Sequence, residues 1–366
     1  MKTNGRKSYY QTLTRVGEVV DETIEEFLEQ DDFGKYKRII YGPMLEKKRG
    51  KQKLRSTLTY LSYCAFTGES PQGEIDNDLA KLMVSTEFEL WSEYMTNWIF
   101  DNKGNVRNDP LIRKKTAVAI KSFLEDAVRI SGQVGKEYAK MVLDSSSNVT
   151  KAFVFEFERE TTNKRVFEED YEIFLREYKE NYAIPGIGKT VSLGTDLAAL
   201  YSNKENCSKS KALSDIFVEY GVHLDILNAL GDFIIKEGNL TTDKIASDQF
   251  ADIRNGIVTL PIWFMYKRSD KEGKKFLLNL VDKESLNKNE QSKLIKILFE
   301  TGAYETVSKE IKKNGRKLKK QIKDLKFGNS ASSQLQQAMT VLESNKIYHF
   351  LKGNYEKVKH EILEDE

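Results

Sequence analysis

Apolar residues recur along this chain at intervals of three and four positions, the spacing that places them on one face of an α-helix. Three stretches show the pattern most clearly. Their apolar positions are Val16, Val19, Val20, Ile24, Phe27 and Leu28; Leu54, Leu58, Leu61 and Ala65; and Tyr171, Phe174, Leu175, Tyr178 and Tyr182. The pattern predicts a chain made of long amphipathic helices.

Other parts of the pattern fix the domain organisation. The segment AFVFEFERE, Ala152 to Glu160, alternates as a strand does, but it stands alone and a lone strand has no partner, so no sheet is predicted. Clusters of helix breakers predict loops between the helices at Gly68–Gly73, Asp101–Pro110, Ser145–Asn148, Pro185–Gly188 and Gly238–Asp243. No internal repeat is visible. We therefore predict one large all-α domain over residues 1–366.

Composition narrows the classes of function. The 366 residues carry a net charge of +2, which does not demand nucleic acid as a partner. Two cysteines cannot build a disulfide framework, and three histidines make zinc or histidine-base chemistry improbable. The N-terminus lacks the apolar run of a signal peptide, and no stretch is long and apolar enough to span a membrane. These features predict a cytoplasmic protein.

The segment AIPGIGKT, Ala183 to Thr190, ends like a nucleotide-binding loop. Such a loop has two glycines five positions apart, and the first of them comes directly after a buried strand. Ala183 takes that position, and the preceding segment is charged and helical. The pattern therefore favours a break between two helices over a nucleotide site. A lysine at a fresh helix start can still hold a phosphate, because free amides and the helix dipole attract anions there.

Five segments place charged and small residues in an order that bears on chemistry. They are RGKQKLRS, with Lys51, Lys53 and Arg55; EFELWSEYMTNWIFDNKGNVRNDP, with Glu87, Asn97, Asp101, Arg107 and Pro110; Lys189-Thr190; YGVHLDILNALGDFIIK, with Gly221 eleven positions before Asp232; and DQFADIRNGIVTLP, with Asp252, Gly256, Thr259 and Pro261. Over about residues 45 to 330, this series resembles the trans-prenyl (polyprenyl) diphosphate synthases, which are class I isoprenoid synthases.

The resemblance implies an all-α bundle around a central cavity, followed here by C-terminal helices over 331–366, and a protein that is typically dimeric. It also implies roles for particular residues. Catalytic roles fall to Asp101, Lys189 and Asp232; diphosphate binding to Lys51, Lys53, Arg55, Arg107, Lys189, Thr190 and Lys236; and Mg²⁺ binding to Asn97, Asp101 and Asp232. Mg²⁺ suits this set because it prefers oxygen ligands, usually one or two carboxylates together with substrate phosphate and water.

The chain departs from the family at its two aspartate-rich motifs, which the resemblance aligns with Asn97–Asp101 and Asp232–Lys236. Of six aspartates, Asp101 and Asp232 remain. Bulky Trp98 and Phe233 replace polar residues, and Lys236 puts a cation where metal charge belongs. The carboxylate at Glu93, just ahead of the first motif, is also atypical, so product length cannot be inferred. The reduced motifs make the standard three-metal route doubtful.

Two hypotheses therefore stay open. The chain is an active enzyme with a reduced magnesium site, performing prenyl transfer or terpene-type ionisation of an isoprenyl diphosphate. Alternatively, it is a non-catalytic partner or regulatory subunit of an active synthase, assembling as a homodimer or a heterodimer.

The run KEIKKNGRKLKKQIKDLK, Lys309 to Lys326, is strongly basic and keeps Ile311, Leu318, Ile322 and Leu325 on one face. It predicts a surface helix packed on the bundle. Contact with a membrane surface is the alternative, and nucleic acid ranks third because the rest of the chain is not basic.

Overall fold

The computed structural model describes residues 2–32, 34–48, 53–100, 109–161, 163–234, 249–281, 283, 285–328 and 330–365. Every regular element within these residues is helical, and none of them forms a strand. The all-α prediction is confirmed. The alternating segment from Ala152 lies inside a helix, because its apolar residues find no neighbouring strand with which to pair.

The helices are α1 (Lys2–Glu29), α2 (Gly34–Lys48), α3 (Leu54–Thr67), α4 (Asn77–Phe100), α5 (Pro110–Val134), α6 (Lys136–Thr161), α7 (Asn163–Glu168), α8 (Tyr171–Glu177), α9 (Lys189–Tyr201), α10 (Ser208–Gly231), α11 (Ala251–Arg254), α12 (Leu260–Arg268), α13 (Lys271–Leu278), α14 (Lys288–Glu300), α15 (Ala303–Asp324), α16 (Ala331–Ala338), α17 (Val341–Ser344) and α18 (Lys346–Asp365). A π-helical segment, Tyr178–Gly188, leads into α9.

The chain divides into two compact units. Unit 1 comprises Met1–Thr150, Ile184–Gly221 and Lys317–Met339, and unit 2 comprises Lys151–Ala183, Val222–Arg316 and Thr340–Glu366. The sequence-based prediction of a single domain remains a prediction.

Unit 1 is built on α3, which packs against α1, α4, α9 and α16. The first two turns of α3 are buried on all sides, although several of their side chains carry hydroxyls. The hydroxyls donate to carbonyls one turn back: Thr57 to Lys53 at 2.7 Å, Thr59 to Arg55 at 3.0 Å, and Ser62 to Leu58 at 2.7 Å. These bonds satisfy the polar atoms locally, so α3 can occupy a dry core.

Helix α9 lies unusually close to α3. A Cβ atom added at Gly194 of α9 would stand 2.0 Å from Oγ1 and 3.1 Å from Cβ of Thr59. Ser62 of α3 also meets Thr195 of α9 in a hydroxyl pair at 3.0 Å. Gly194 is therefore required for close approach of the two backbones rather than for a special backbone angle.

Unit 2 has an aromatic core around α12. That helix packs against α7, α13 and α14, and α14 packs against α18. Phe174 of α8 stacks on Trp263 of α12 with ring centroids 5.3 Å apart, and Tyr178 follows at 6.1 Å from Phe174. Phe174 and Tyr178 are one helical turn apart and are both buried. The aromatic residues that the sequence places at helical spacing thus form the face that unit 2 buries.

Three predicted loops can be compared with the structure. Residues 68–73 form a turn that ends α3, with Gly68 in the left-handed conformation at φ 85°. The loop predicted at Ser145–Asn148 is wrong, because α6 runs through it with Val142, Ser145, Val149 and Ala152 buried at helical spacing. Pro185–Gly188 is helical but kinked at Gly186. The segment Gly238–Asp243 and residues 101–108 lie outside the described residues.

Helix α15 confirms the predicted amphipathic surface helix. Ile311, Leu318 and Ile322 are almost fully buried, and Leu325, just past its end, is half-buried. Among the described residues, no helix has the length and hydropathy required to cross a membrane.

The close approach of α3 and α9 yields a test. Gly194→Ala gains helix propensity but places a methyl group against Thr59, and overpacking of this kind costs more than the propensity supplies. We expect the free energy of unfolding in urea to fall by about 1–2 kcal/mol. Thr59→Ala in the same chain removes the atom at 2.0 Å and should restore part of the loss.

Gly132→Ala is the matched control. Gly132 is an exposed helical glycine in α5, and its added Cβ would meet Ala139 at an ordinary 3.6 Å. We expect this change to leave stability equal or slightly higher. Equal effects of the two substitutions would contradict the packing of α9 on α3.

Candidate functional site

The N-terminus of α3 is held by a carboxylate from α4. Glu87, 3% exposed, accepts hydrogen bonds at Oε1 from the backbone N–H of Ser56 at 3.3 Å and from the Ser56 hydroxyl at 3.0 Å. Ser56 is the third residue of α3, so this N–H has no partner within the helix. Glu87 therefore caps α3 from outside and fixes the segment that carries Lys53 and Arg55.

Lys53 and Arg55 are both buried, at 2% and 5% exposure. The Lys53 ammonium lies 3.0 Å from Oδ1 of Asp21 in α1. The Arg55 guanidinium meets two carboxylates of α4: Nη2 lies 3.1 Å from Oε2 of Glu93, and Nη1 lies 3.6 Å from Oε2 of Glu89. Lys53 and Arg55, two of the cations that the resemblance assigns to a diphosphate, are thus neutralised by carboxylates of the same unit.

Glu89 is the most perturbed carboxylate of this group. It is 2% exposed and accepts a 2.6 Å hydrogen bond from the hydroxyl of Ser145 in α6. Burial raises the pKa of Glu89 to about 7, with the charge of Glu93 adding to the rise and Arg55 and Ser145 opposing it. The 3.6 Å separation from Arg55 is too long for a hydrogen bond, so the ion pair offsets only part of the desolvation.

These partners were not among the residues predicted from the sequence. Glu89 and Glu93 are four positions apart, and Asn97 follows at the same spacing, so the three share one face of α4. That spacing is visible in the sequence, as is the atypical carboxylate at Glu93. The sequence alone does not show that this face of α4 meets Arg55.

The end of α4 holds the first aspartate-rich motif. Asn97 and Trp98 are half-buried, and the Trp98 ring lies 5.1 Å from that of Tyr94. The predicted residues Lys51, Asp101, Arg107 and Lys236 lie outside the described residues. Asn97 is therefore the described ligand candidate of this motif.

Lys189 and Thr190 open α9 in unit 1. Lys189 is exposed, whereas Thr190 is fully buried and donates its hydroxyl to the carbonyl of Ile187 at 3.1 Å. The expected free amides of a fresh helix start are absent at this point, because π-helical turns lead directly into Lys189 and Gly188 is itself helical. An anion at this position would thus meet the Lys189 side chain rather than an amide cradle.

Gly221 of α10 explains why this start is fixed in place. A Cβ added there would lie 2.6 Å from the carbonyl oxygen of Ile187 and 2.8 Å from Cα of Gly188. Only glycine allows α10 to approach the entry of α9 so closely. Two sequence motifs that looked separate, Lys189-Thr190 and Gly221, are therefore parts of one packing arrangement in unit 1.

Unit 2 brings together the segment that contains Asp232 and the segment from Asp252 to Pro261. Asp232, 3% exposed, follows α10 directly, and its Oδ2 accepts the backbone N–H of Asp252 at 2.9 Å. Its carbonyl accepts the N–H of Phe250 at 3.0 Å. Phe233 is buried edge-on against Phe250, which explains a phenyl ring beside the aspartate. Asp232 is thus a fixed, buried carboxylate.

The fifth motif forms the turn between α11 and α12. Gly256 adopts a positive φ of 76°, which only glycine accepts easily, and Pro261 lies in the first turn of α12. The buried Thr259 hydroxyl has no hydrogen-bond partner among the residues that the structure describes. This turn returns the chain after Asp252 and holds that residue against Asp232.

Further acidic groups surround two tyrosines of unit 2. Tyr178 donates its hydroxyl to Oδ2 of Asp225. Burial raises the pKa of Tyr178 well above its usual value, and Asp225, Asp252 and Glu156 add to the rise. The pKa of Tyr182 is raised by burial and by the same three carboxylates. Asp225, which the sequence analysis did not single out, therefore belongs to the acidic neighbourhood of Asp252.

The donors of unit 2 fit a magnesium ion in kind. The backbone of Asp252 lies against the Asp232 carboxylate, so two aspartates are neighbours here, and one or two carboxylates are what Mg²⁺ takes from protein when substrate phosphate and water complete its shell. No group of three or more metal-type side chains occurs among the described residues. The protein part of such a site is thus sparse, and substrate oxygens would have to supply the rest.

Comparison with known proteins rests on fold, since no protein-family model matches the chain and no curated protein matches it in sequence. A decaprenyl diphosphate synthase from Rhodobacter capsulatus has a TM-score of 0.72 at 14% identity, covering 92% of this chain and 98% of its own. Geranylgeranyl pyrophosphate synthase from Corynebacterium glutamicum, complexed with isoprenyl diphosphate and magnesium, has a TM-score of 0.72 at 14% identity, and the match covers 90% of this chain and 98% of the synthase.

Heptaprenyl diphosphate synthase from Staphylococcus aureus has a TM-score of 0.65 at 16% identity, covering 91% of this chain and 97% of its own. These matches span almost the whole of each chain. The fold predicted from the sequence, that of the all-α isoprenoid synthases, is confirmed.

The buried Glu89 gives a pH-dependent prediction. Its pKa is about 7 in the folded protein, above the ordinary value of 4.5. The folded state therefore holds this proton more tightly than the unfolded state, and the resulting contribution to the free energy of unfolding is complete below pH 4.5 and is lost as pH rises through 7. The pKa difference corresponds to a loss on the order of 3 kcal/mol. We expect Glu89→Gln, compared with wild type in urea unfolding at pH 5 and pH 8, to remove most of this decline.

Glu125→Gln, an exposed carboxylate on α5, serves as the control and should keep the wild-type pH dependence. If Glu89→Gln also keeps the full decline, Glu89 is ionised at neutral pH and the account of its burial is wrong.

Proposed function

We infer that this chain, which has the isoprenoid synthase fold, is a polyprenyl synthase-like protein that takes one isoprenyl diphosphate and ionises it without a second, homoallylic diphosphate. Solved neighbours of this fold are complexed with isoprenyl diphosphate, one with magnesium and another with calcium. The observation that carries the proposal is the neutralisation of Arg55 by Glu89 and Glu93.

In the polyprenyl synthases that the chain resembles, the residues matching Lys51, Lys53 and Arg55 bind the diphosphate of the homoallylic substrate, the second substrate of chain elongation. A diphosphate that took Arg55 would leave Glu93, the carboxylate 3.1 Å from the guanidinium, without its cation in a largely buried site. Stranding a buried charge costs several kcal/mol, as much as a charge-assisted contact with phosphate supplies. Chain elongation needs that second substrate, so the geometry favours chemistry on a single diphosphate.

The allylic diphosphate remains assigned to the other motifs. In unit 2, Asp232 and Asp252 would hold Mg²⁺, which supplies neutralisation of the leaving group's charge when bound. Asp232 is ready for this role because the Asp252 amide fixes its orientation before any ligand arrives. The role of Lys189 in unit 1 as a phosphate contact stays a prediction; its side chain is exposed, and the neighbouring Thr190 hydroxyl donates to the carbonyl of Ile187. Roles for Asn97, Asp101, Arg107 and Lys236 stay predictions.

A non-catalytic partner subunit is the second candidate. Phe233 occupies the second aspartate position of its motif, where it is buried against Phe250 and offers no oxygen to a metal ion. Helix α6 also exposes Leu143, Val154 and Phe157, at 50%, 55% and 61%, on one face. An exposed apolar stripe suits a subunit interface. A dimer stays a prediction. Light scattering tests it, because a homodimer would have twice the chain mass of 42.2 kDa.

Turnover separates these candidates. Purified protein with Mg²⁺ and farnesyl or geranylgeranyl diphosphate should release pyrophosphate at a rate that isopentenyl diphosphate leaves unchanged. Asp232→Asn removes a metal-binding charge and should lower the rate about a hundredfold or more. Asp215→Asn, which changes an exposed aspartate of the preceding helix α10, is the control and should retain the wild-type rate.

A product longer than the substrate, formed only with isopentenyl diphosphate, would contradict the single-substrate proposal. Tight ligand binding without pyrophosphate release, together with stimulation of an active synthase on mixing, would support the partner subunit instead.

A further inference from the structure

Positive charge is concentrated on one helix. Helix α15 carries eight basic and three acidic side chains, a surplus of five, whereas the whole chain has a net charge of +2. The remainder of the molecule is therefore slightly acidic. Such segregation costs self-repulsion, so it calls for an explanation beyond solubility.

The charges form a narrow stripe. Lys309, Lys313, Arg316, Lys320 and Lys323 follow one another at three- and four-residue steps, so they fall on one side of the helix, and all five are exposed. Val307, Ile311, Leu318 and Ile322 occupy the opposite side and are buried. With a rise of about 1.5 Å per residue, the stripe is roughly 21 Å long.

The stripe is not consumed by internal ion pairs. Within the described part of the chain, Lys309, Lys313, Lys320 and Lys323 have no carboxylate in salt-bridge range, and Arg316 reaches Glu343 only at 3.8 Å. A neighbouring helix adds charge of the same sign: α18 contributes exposed Lys352 close to Lys312. Burial lowers the pKa of Lys312, and the charges of Lys352 and Arg316 lower it further.

We propose that this stripe docks the protein on an anionic lipid surface. Seven of the eight cations on α15 are lysines, which act as point charges and suit a diffuse field of lipid phosphates, whereas base or phosphate recognition in nucleic acids favours the planar fork of arginine. The only aromatic side chain of the helix, Tyr304, is buried, so no stacking platform for bases is present. Because the apolar face is also buried, α15 lies on the headgroups without inserting.

The test uses the full chain and vesicles without any prenyl ligand, so its outcome is independent of the proposed activity. Co-sedimentation is measured with vesicles of phosphatidylcholine alone and of phosphatidylcholine mixed with phosphatidylglycerol. We expect binding to the anionic vesicles only, weakening as salt rises. The triple change Lys309→Glu, Lys313→Glu and Lys320→Glu should weaken binding about a hundredfold or more, since each lysine contributes about fivefold.

The matched control changes the net charge equally without touching the stripe: Lys35→Glu, Lys136→Glu and Lys211→Glu are three exposed positions on other helices. We expect it to retain binding within a few-fold of wild type, and circular dichroism should show both triple variants folded. Equal losses in the two variants, or no binding of wild type to anionic vesicles, would overturn the proposal. So would tighter binding of the stripe to duplex DNA or RNA than to vesicles at the same salt.

Discussion

A guanidinium does not lose its proton when it is buried, so the fold must place negatively charged partners beside a buried arginine. Arg55 is such a residue, and its partners organise one side of unit 1. Glu89 and Glu93 of α4 supply the charge, Ser145 of α6 donates a hydrogen bond to Glu89, and Glu87 caps the helix that carries Arg55. One buried cation thus ties α3, α4 and α6 together.

The same constraint decides how the chain can use its motifs. An arginine that already has two carboxylates is a structural element, whereas an exposed lysine such as Lys189 can still meet a ligand. In unit 2 the balance is reversed: Asp225, Asp252 and Glu156 lie around two tyrosines, and Asp232 is bonded to the Asp252 backbone, an environment that suits a cation. The proposed function therefore rests on which charged side chains already have partners within each unit, and not on the number of motif residues that the chain retains.

The sequence predicted the helices well where apolar spacing was regular, as in α1, α3 and α8. It failed at Ser145–Asn148, since serine and asparagine suggested a turn, while the buried stripe from Val142 to Ala152 continues the helix through them. Motif spacing found Asp232 and Asp252 separately, and only the folded chain shows them bonded to each other. Glu89 and Glu93 were out of reach for the same reason: helical spacing tells which residues share a face, but not what that face meets.

The central claim is that Arg55 is neutralised by its own fold, and the affinity for isopentenyl diphosphate tests it most directly. Calorimetric titration of wild type and of Glu93→Gln compares the site with and without the nearer of its two carboxylates, the one 3.1 Å from Arg55. The account predicts no saturable binding to wild type and measurable binding to the variant, lost again when Arg55→Ala is added. Saturable binding to wild type that Arg55→Ala abolishes would contradict it.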